Sequence, residues 1–104
     1  MLLVRQCVTM DIVIDELIIE EDRPEHIKKH KVSIKEVLEV ISEDYLVLEG
    51  KSEKILLVGK TRKGRLVTVI VGPRSGKNRY GLVTARHVKK KEELSYKERF
   101  KEEI

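Results

Sequence analysis

The spacing of apolar residues changes at Asp44, and this change limits the architectures that the chain can adopt. Upstream, apolar residues recur at the spacing of one helix face: Ile34, Val37, Leu38 and Ile41. Downstream, the period becomes two, which is typical of strands that bury one face. A helical half followed by a run of strands predicts an α+β fold.

Helix boundaries are marked by capping residues. Ser33 can accept a hydrogen bond from the free backbone amides of a first helical turn, and Glu36 can reach back. The pair therefore predicts a capping box and a helix over residues 34–42. A proline is tolerated in a first helical turn, so Pro24–His30 predicts a short basic helix. A charged helix over residues 88–103 ends the chain, and its apolar anchors are Val88, Leu94 and Phe100.

Four segments rich in Val, Ile and Leu predict strands: Tyr45–Leu48, Ile55–Gly59, Arg65–Val71 and Tyr80–Ala85. Thr61–Gly64 predicts a tight hairpin turn, because Gly64 can adopt positive φ. Residues 55–85 therefore predict a three-stranded antiparallel meander. A further strand near the N-terminus is favoured by apolar residues that alternate with acids: Met10, Ile12 and Ile14.

Length and composition exclude several classes of protein. The 104 residues suffice for one domain with its own core, so we expect residues 1–104 to fold as a single unit. Cys7 is the only cysteine and cannot form an internal disulfide, which suits a reducing cytosol. The first apolar run breaks at Arg5, too early for a signal peptide or a membrane span. We therefore expect a cytoplasmic protein without membrane association.

Basic residues are concentrated in one part of the chain. Between Gly50 and Lys91 there are thirteen Lys or Arg residues and a single acid, Glu53, whereas the whole chain carries a net charge of only +4. Such sorting is typical of a polyanion-binding surface, although a Lys-rich solvated surface is the alternative. Few aromatic residues are present for base stacking. The bases fall at predicted loops and strand ends, and the candidate RNA-binding residues are Arg62, Lys63, Arg74, Lys77, Arg79, Lys89, Lys90 and Lys91.

Two weaker motifs do not support a metal or nucleotide site. His26 and His30 share a helix face, but the glutamate of a zincin motif and an evident third ligand are both missing. Residues 72–78 resemble a phosphate loop but lack its spacing and its Ser or Thr, and they precede a predicted strand. We therefore expect neither a metal nor a cofactor.

Three ordered motifs between Leu17 and Tyr96 resemble the BrnT family of bacterial and archaeal toxin-like proteins. The matching segments are His26-x-x-x-His30-Lys31-Val32-Ser33-x-x-Glu36-Val37, Leu57-Val58-Gly59-Lys60-Thr61-x-x-Gly64-Arg65, and Val83-Thr84-Ala85-Arg86 followed by Glu92 and Tyr96. The resemblance implies a RelE-like α+β fold, with an antiparallel sheet, two short helices in the N-terminal half and a C-terminal helix. Residues 1–16 lie outside it. A family of uncharacterised RelE-like domains shares the helix motif and is the second choice.

The resemblance implies a metal-independent ribonuclease that works with Lys, Arg and Tyr side chains. Arg86 and Arg65 are the candidate electrostatic clamps, since guanidinium groups match phosphate oxygens and stay charged. The two arginines are expected to converge on the phosphate oxygen that gains negative charge in the transition state of cleavage. Lys60 is the candidate proton-transfer or phosphate-binding group, and Tyr96 or His30 is the second candidate acid or base. The structural alternative for Arg86 is a salt bridge to Glu92 or Glu93.

The implied partners are RNA and a cognate antitoxin, with a ribbon-helix-helix protein as one candidate type, in a homo- or hetero-oligomer. Three positions depart from the family pattern, namely Ile19, Lys54 and Gly81, where relatives often carry arginine or aromatic residues. Loss of those groups would reduce or abolish cleavage. The alternative function is therefore a catalytically inactive module with the same fold that binds RNA or protein.

Overall fold

The structure is a computed structural model that describes residues 12–100. Its elements follow in the order β1 (Glu16–Ile18), α1 (Arg23–Lys28), α2 (Ile34–Ile41), β2 (Tyr45–Glu49), β3 (Ile55–Lys60), β4 (Leu66–Pro73), β5 (Arg79–His87) and α3 (Lys90–Phe100). The predicted α+β class is confirmed, and each predicted helix and each of the four strands after Asp44 is present within a few residues of its expected bounds, except that the predicted end of the last helix, at residue 103, lies outside the described residues.

The strands form one five-stranded sheet in the order β1-β5-β4-β3-β2. Strands β2 to β5 are antiparallel neighbours, so the meander predicted over residues 55–85 is confirmed. β1 joins the edge parallel to β5, with Glu16 opposite Arg79, and the sheet is therefore mixed rather than purely antiparallel. The prediction of a strand around residues 10–14 is wrong for residues 12–14, because the first strand begins at Glu16. Ile12 and Ile14 pack against the core instead, and Met10 lies outside the described residues.

Helices α1 and α2 cover one face of the sheet. The predicted capping box is confirmed, since Ser33 Oγ accepts from the Glu36 amide at 3.2 Å and the Glu36 carboxylate accepts from the Ser33 amide at 3.0 Å. Behind this cap, α2 buries its apolar side against alternate residues of the central strands. The resulting core includes Val37, Val40, Leu57, Val67 and Val69, all fully buried.

Helix α3 crosses the opposite face, over β2 and β3. Tyr96 is buried there in a smaller cluster with Leu46, Val58, Leu66 and Val88. Residues four apart share a helix face, so Glu92 and Tyr96 both point at the sheet while Leu94 points away. The prediction of Leu94 as an anchor is therefore wrong, because its side chain is 53% exposed.

A tight turn and a register shift are two local features of the meander. The predicted turn at Thr61–Gly64 is confirmed, with Gly64 at φ 88° and its amide donating to the Thr61 carbonyl. Within the β4–β5 pair, the register shifts between Ile70 and Val71, and the carbonyl of Val83 accepts a 2.6 Å hydrogen bond from Arg23 of α1. Among residues 12–100, no helix is long and apolar enough to cross a membrane.

Candidate nucleic-acid interface

A groove of about 640 Å³ lies on the α3 side of the sheet, between the β2–β3 turn and the start of α3. Five cationic side chains line it, and we call it the basic groove: Lys51, Lys54, Arg86, Lys89 and Lys91. Its floor includes Leu56 and Ile70, and the acids on its lining are Glu49 and Glu92. The excess of cations over acids suits a polyanion.

The β2–β3 turn presents two of these lysines through an unusual backbone. Ser52 and Glu53 both have positive φ, at 56° and 66°, and the Gly50 amide donates to the Lys54 carbonyl at 2.8 Å. A Cβ on Gly50 would lie 2.5 Å from a methyl group of Leu56 and 3.1 Å from the Lys54 carbonyl oxygen, so a larger residue there would make its neighbours shift. The turn therefore carries Lys51 and Lys54 to the rim of the groove.

Arg86 forms part of a buried polar network at the groove. Its guanidinium donates to both carboxylate oxygens of Glu92, at 3.0 and 2.8 Å, and the Thr68 hydroxyl donates to the same carboxylate at 2.8 Å. The Lys89 amide, at the start of α3, donates to it at 3.0 Å. The salt bridge to Glu92 that the sequence offered as the structural alternative for Arg86 is thus present.

These contacts set the charge state of Glu92. Burial acts to raise the pKa of this carboxyl, but the hydrogen bonds from Arg86, the Lys89 amide and Thr68 outweigh it and lower the pKa from 4.5 to about 2. Glu92 is therefore ionised at neutral pH and holds the Arg86 guanidinium in one orientation. Neither the Arg86 Nε–H nor the second N–H of its Nη2 meets an acceptor among the described residues, so both remain for a ligand.

Lys60 and Tyr96 lie apart from the basic groove. Both line a depression of about 350 Å³ at the other end of α3, together with Thr61, Arg62 and acidic residues. Lys60 also lines a neighbouring depression of about 300 Å³ with Arg65. The structure thus brings Lys60 close to two other predicted catalytic residues but separates this group from Arg86.

Arg65 and Arg86 do not converge, contrary to the sequence-based expectation. Successive residues of a strand alternate between faces, so Arg65 shares the α2 side with Val67, whereas Arg86 pairs with Thr68 on the α3 side. The Arg65 guanidinium donates to the Lys31 carbonyl at 2.8 Å and pairs with the Glu36 carboxylate at 3.2 Å. It therefore ties β4 to the start of α2.

His30 lies in the turn just after α1, next to Lys31 in the chain and on the side of the sheet opposite Arg86. Its ring meets that of His26 edge-on at 5.6 Å between centroids. Over residues 12–100, no group of three or more His, Cys, Asp or Glu side chains is arranged to hold a metal ion.

Two of the predicted RNA-binding arginines contact acids of the β1 region. Arg79 pairs with Glu16 at 2.9 Å, and Arg74 pairs with Glu20 at 3.3 Å. Asn78 donates to the Asp15 carboxylate at 3.1 Å. The acidic and basic parts of the sequence therefore meet in space at this edge of the sheet, which the parallel pairing of β1 with β5 makes possible.

The other predicted RNA-binding residues are exposed: Arg62, Lys63, Lys77, Lys89, Lys90 and Lys91. They lie at three separate places, because the β3–β4 turn and the β4–β5 loop are at opposite ends of the sheet. Sequence reasoning missed Lys51 and Lys54 as groove residues. A glycine-containing connection between two apolar runs was the available signal, since it predicts a hairpin turn there.

No protein-family model and no curated protein matches the chain in sequence. Among solved structures, the chain is similar to the crystal structure of the ribonuclease toxin BrnT from Brucella abortus, with a TM-score of 0.56 and 18% sequence identity. The match covers 72% of this chain and 97% of that toxin. The resemblance seen in the sequence motifs is therefore confirmed at the level of structure, and the chain has the fold of the BrnT toxin.

Proposed function

We propose that the chain is a toxin-like ribonuclease that binds RNA in the basic groove. The observation that carries the proposal is the groove itself, in which a fixed arginine is surrounded by four lysines on the fold of a ribonuclease toxin. Lysines at the rim would bind successive phosphates with little base preference. An RNA substrate also agrees with the cytoplasmic location expected from the sequence.

Arg86 is the residue best placed to act on a phosphate at the floor of the groove. Glu92 orients its guanidinium, and the two N–H groups that meet no described acceptor can donate to an oxygen that gains negative charge in the transition state. Because Arg65 faces the other side of the sheet, we now assign it to structure. Lys60 would contact a second part of the RNA beyond α3, at the depression that the buried Tyr96 also lines.

The experiment is cleavage of a labelled single-stranded RNA by the purified chain. Truncating Arg86 alone would leave Glu92 charged without its partner, so the informative variant is Arg86→Gln combined with Glu92→Gln. We expect this variant to fold and to lose about 10²–10³ in cleavage rate, as is typical when one transition-state donor is removed. Lys54→Glu should weaken RNA binding, and the matched control is Lys35→Glu, on the exposed side of α2.

A wild-type chain that binds RNA without cleaving it would contradict the ribonuclease proposal and support the second candidate, an inactive binding module. One observation favours that candidate. The described lining of the basic groove includes no histidine or tyrosine to act as acid or base, since Tyr96 lies in another depression.

The proposed ribonuclease also needs a protein that neutralises it. The groove's cationic rim and partly apolar floor, with Leu56 and Ile70, suit an acidic segment of a small antitoxin. A neighbouring gene for a ribbon-helix-helix protein would identify such a partner. Its purified product should form a hetero-oligomer with this chain and block cleavage, and a product that fails to bind would remove this part of the proposal.

A further inference from the structure

A second cationic surface continues the basic groove along β5. The strand register pairs Thr68 with Arg86 and Gly72 with Gly81, so Arg86 and Gly81 both face the α3 side of the sheet. Arg79, two residues before Gly81, faces the same side. The β4–β5 loop also lies at the same end of the sheet as the β2–β3 turn, because the start of β3 pairs with the end of β4.

Arg74 reaches this surface by lying over a glycine. A Cβ on Gly81 would be 2.5 Å from Arg74 Nε and 2.6 Å from its Nη2, so the guanidinium rests directly on the backbone there. Any larger residue at position 81 would displace it. Arg74 and Arg79 thus form an arginine pair beside the groove, on the face that also carries Arg86.

The acidic segment (Asp15–Glu20) covers the arginine pair through two ion pairs that are exposed to solvent. The side chains of Glu16 and Glu20 are 57% and 58% exposed, and those of Arg79 and Arg74 are 39% and 38% exposed. Ion pairs this accessible to water contribute little to stability and are screened by salt. They can therefore be replaced by another anion.

Replacing these carboxylates does not require β1 to leave the sheet. The backbone amides of Asp15 and Glu16 donate to the Asn78 carbonyl, at 2.9 and 3.3 Å. Leu17 and Ile19 pack against the main core. The strand is thus held by its backbone and its apolar side, and the two glutamates can swing away alone.

We propose that the arginine pair is a second binding surface for RNA phosphates, and that Glu16 and Glu20 occupy it in competition with the RNA. The proposal rests on the proposed function for its ligand. A polyanion leaving the basic groove along β5 meets Arg74 and Arg79 next, and each phosphate that binds there must displace a carboxylate. The acidic segment thereby lowers the affinity of the chain for RNA and limits binding to strands long enough to extend beyond the groove.

A double-mutant cycle tests the competition. Fluorescence anisotropy with a labelled oligouridylate would be measured for the wild type, Glu16→Gln/Glu20→Gln, Arg74→Gln/Arg79→Gln, and the variant with all four changes. We expect the glutamate variant to bind about tenfold more tightly at ~0.1 M salt, with the slope against log salt steeper by about 0.7 for each additional phosphate that the arginines neutralise. The arginine variant should bind RNA almost as tightly as the wild type does. The variant with all four substitutions should not show the tenfold increase in affinity.

Glu21→Gln/Glu25→Gln is the matched control, because it removes the same two negative charges from exposed residues that form no ion pair with a described residue. Circular dichroism would verify that each variant is folded. An equal increase in affinity for this control and for the glutamate variant, or an increase that persists without the arginines, would overturn the proposal. Anisotropy measures binding and not cleavage. A chain that never cleaves RNA can therefore still show the competition, and an active ribonuclease can lack it.

Discussion

Two ion pairs on the same side of β5 have nearly the same shortest distance and very different surroundings. Arg86 meets Glu92 at 2.8 Å, and Arg79 meets Glu16 at 2.9 Å. The Glu92 side chain is 11% exposed and accepts further hydrogen bonds from Thr68 and the Lys89 amide, whereas that of Glu16 is 57% exposed. Burial, and not distance, distinguishes the two pairs.

The difference assigns the two arginines different tasks. An exposed pair contributes about 0–1 kcal/mol, so Arg79 can exchange its carboxylate for a phosphate. Breaking a buried pair costs about 3–5 kcal/mol, because an ion is left without its partner. The Arg86–Glu92 pair therefore fixes the start of α3 to the sheet and cannot be released for binding.

The largest effect is expected for Arg86→Ala. Glu92 would remain buried beside Thr68 without its cation, and we expect the free energy of unfolding to fall by about 3–5 kcal/mol. Urea denaturation followed by circular dichroism measures it. Arg86→Gln/Glu92→Gln, which leaves no unpaired charge, should recover most of the loss. If the single and double variants were equally unstable, the packing of the Arg86 side chain rather than its charge would be what matters.

A somewhat smaller loss of folding stability is expected when the pH is lowered. The pKa of Glu92 is lowered from 4.5 to about 2 in the folded chain, so its stabilising contribution is complete above the unfolded value and disappears as the pH falls through the folded one. The shift corresponds to about 3 kcal/mol. Urea denaturation between about pH 7 and pH 2 should show this decline, in excess of that from other carboxyls.

Glu92→Gln isolates that contribution, because glutamine does not titrate. The difference in stability between the wild type and this variant should shrink as the pH is lowered from about 4.5 towards 2. A difference that stays constant over this range would show that the carboxylate is not the group that titrates. Glu16→Gln, at the exposed pair, serves as the comparison.

The elements were predictable from sequence because each depends on local chemistry. The capping box of Ser33 and Glu36, the glycine turn at Gly64 and the alternating apolar runs of the meander each specify their own segment. The three ordered motifs also indicated the BrnT fold, which the comparison of structures confirms. What the sequence could not supply was the parallel pairing of β1, since only three residues take part in it.

The candidate site was predicted less well, because it depends on which face each side chain occupies. Arg65 and Arg86 lie in two matching motifs, yet strand alternation sends them to opposite faces, each to its own carboxylate. The run of basic residues was visible in the sequence, but its partial neutralisation by acidic residues of the β1 region was not. That depends on Glu16 lying opposite Arg79, a contact between residues 63 positions apart.

The smallest effect is expected for Glu16→Gln, which removes the exposed pair with Arg79 and leaves β1 in place. Because both side chains are solvated, we expect the free energy of unfolding to change by less than about 1 kcal/mol at low salt. The change should vanish near ~1 M salt, where screening acts within about 3 Å. Urea denaturation at the two salt concentrations measures both, with Glu21→Gln as the control. A loss above about 2 kcal/mol would contradict the contrast between the pairs, since a carboxylate held that firmly would not yield Arg79 to a phosphate.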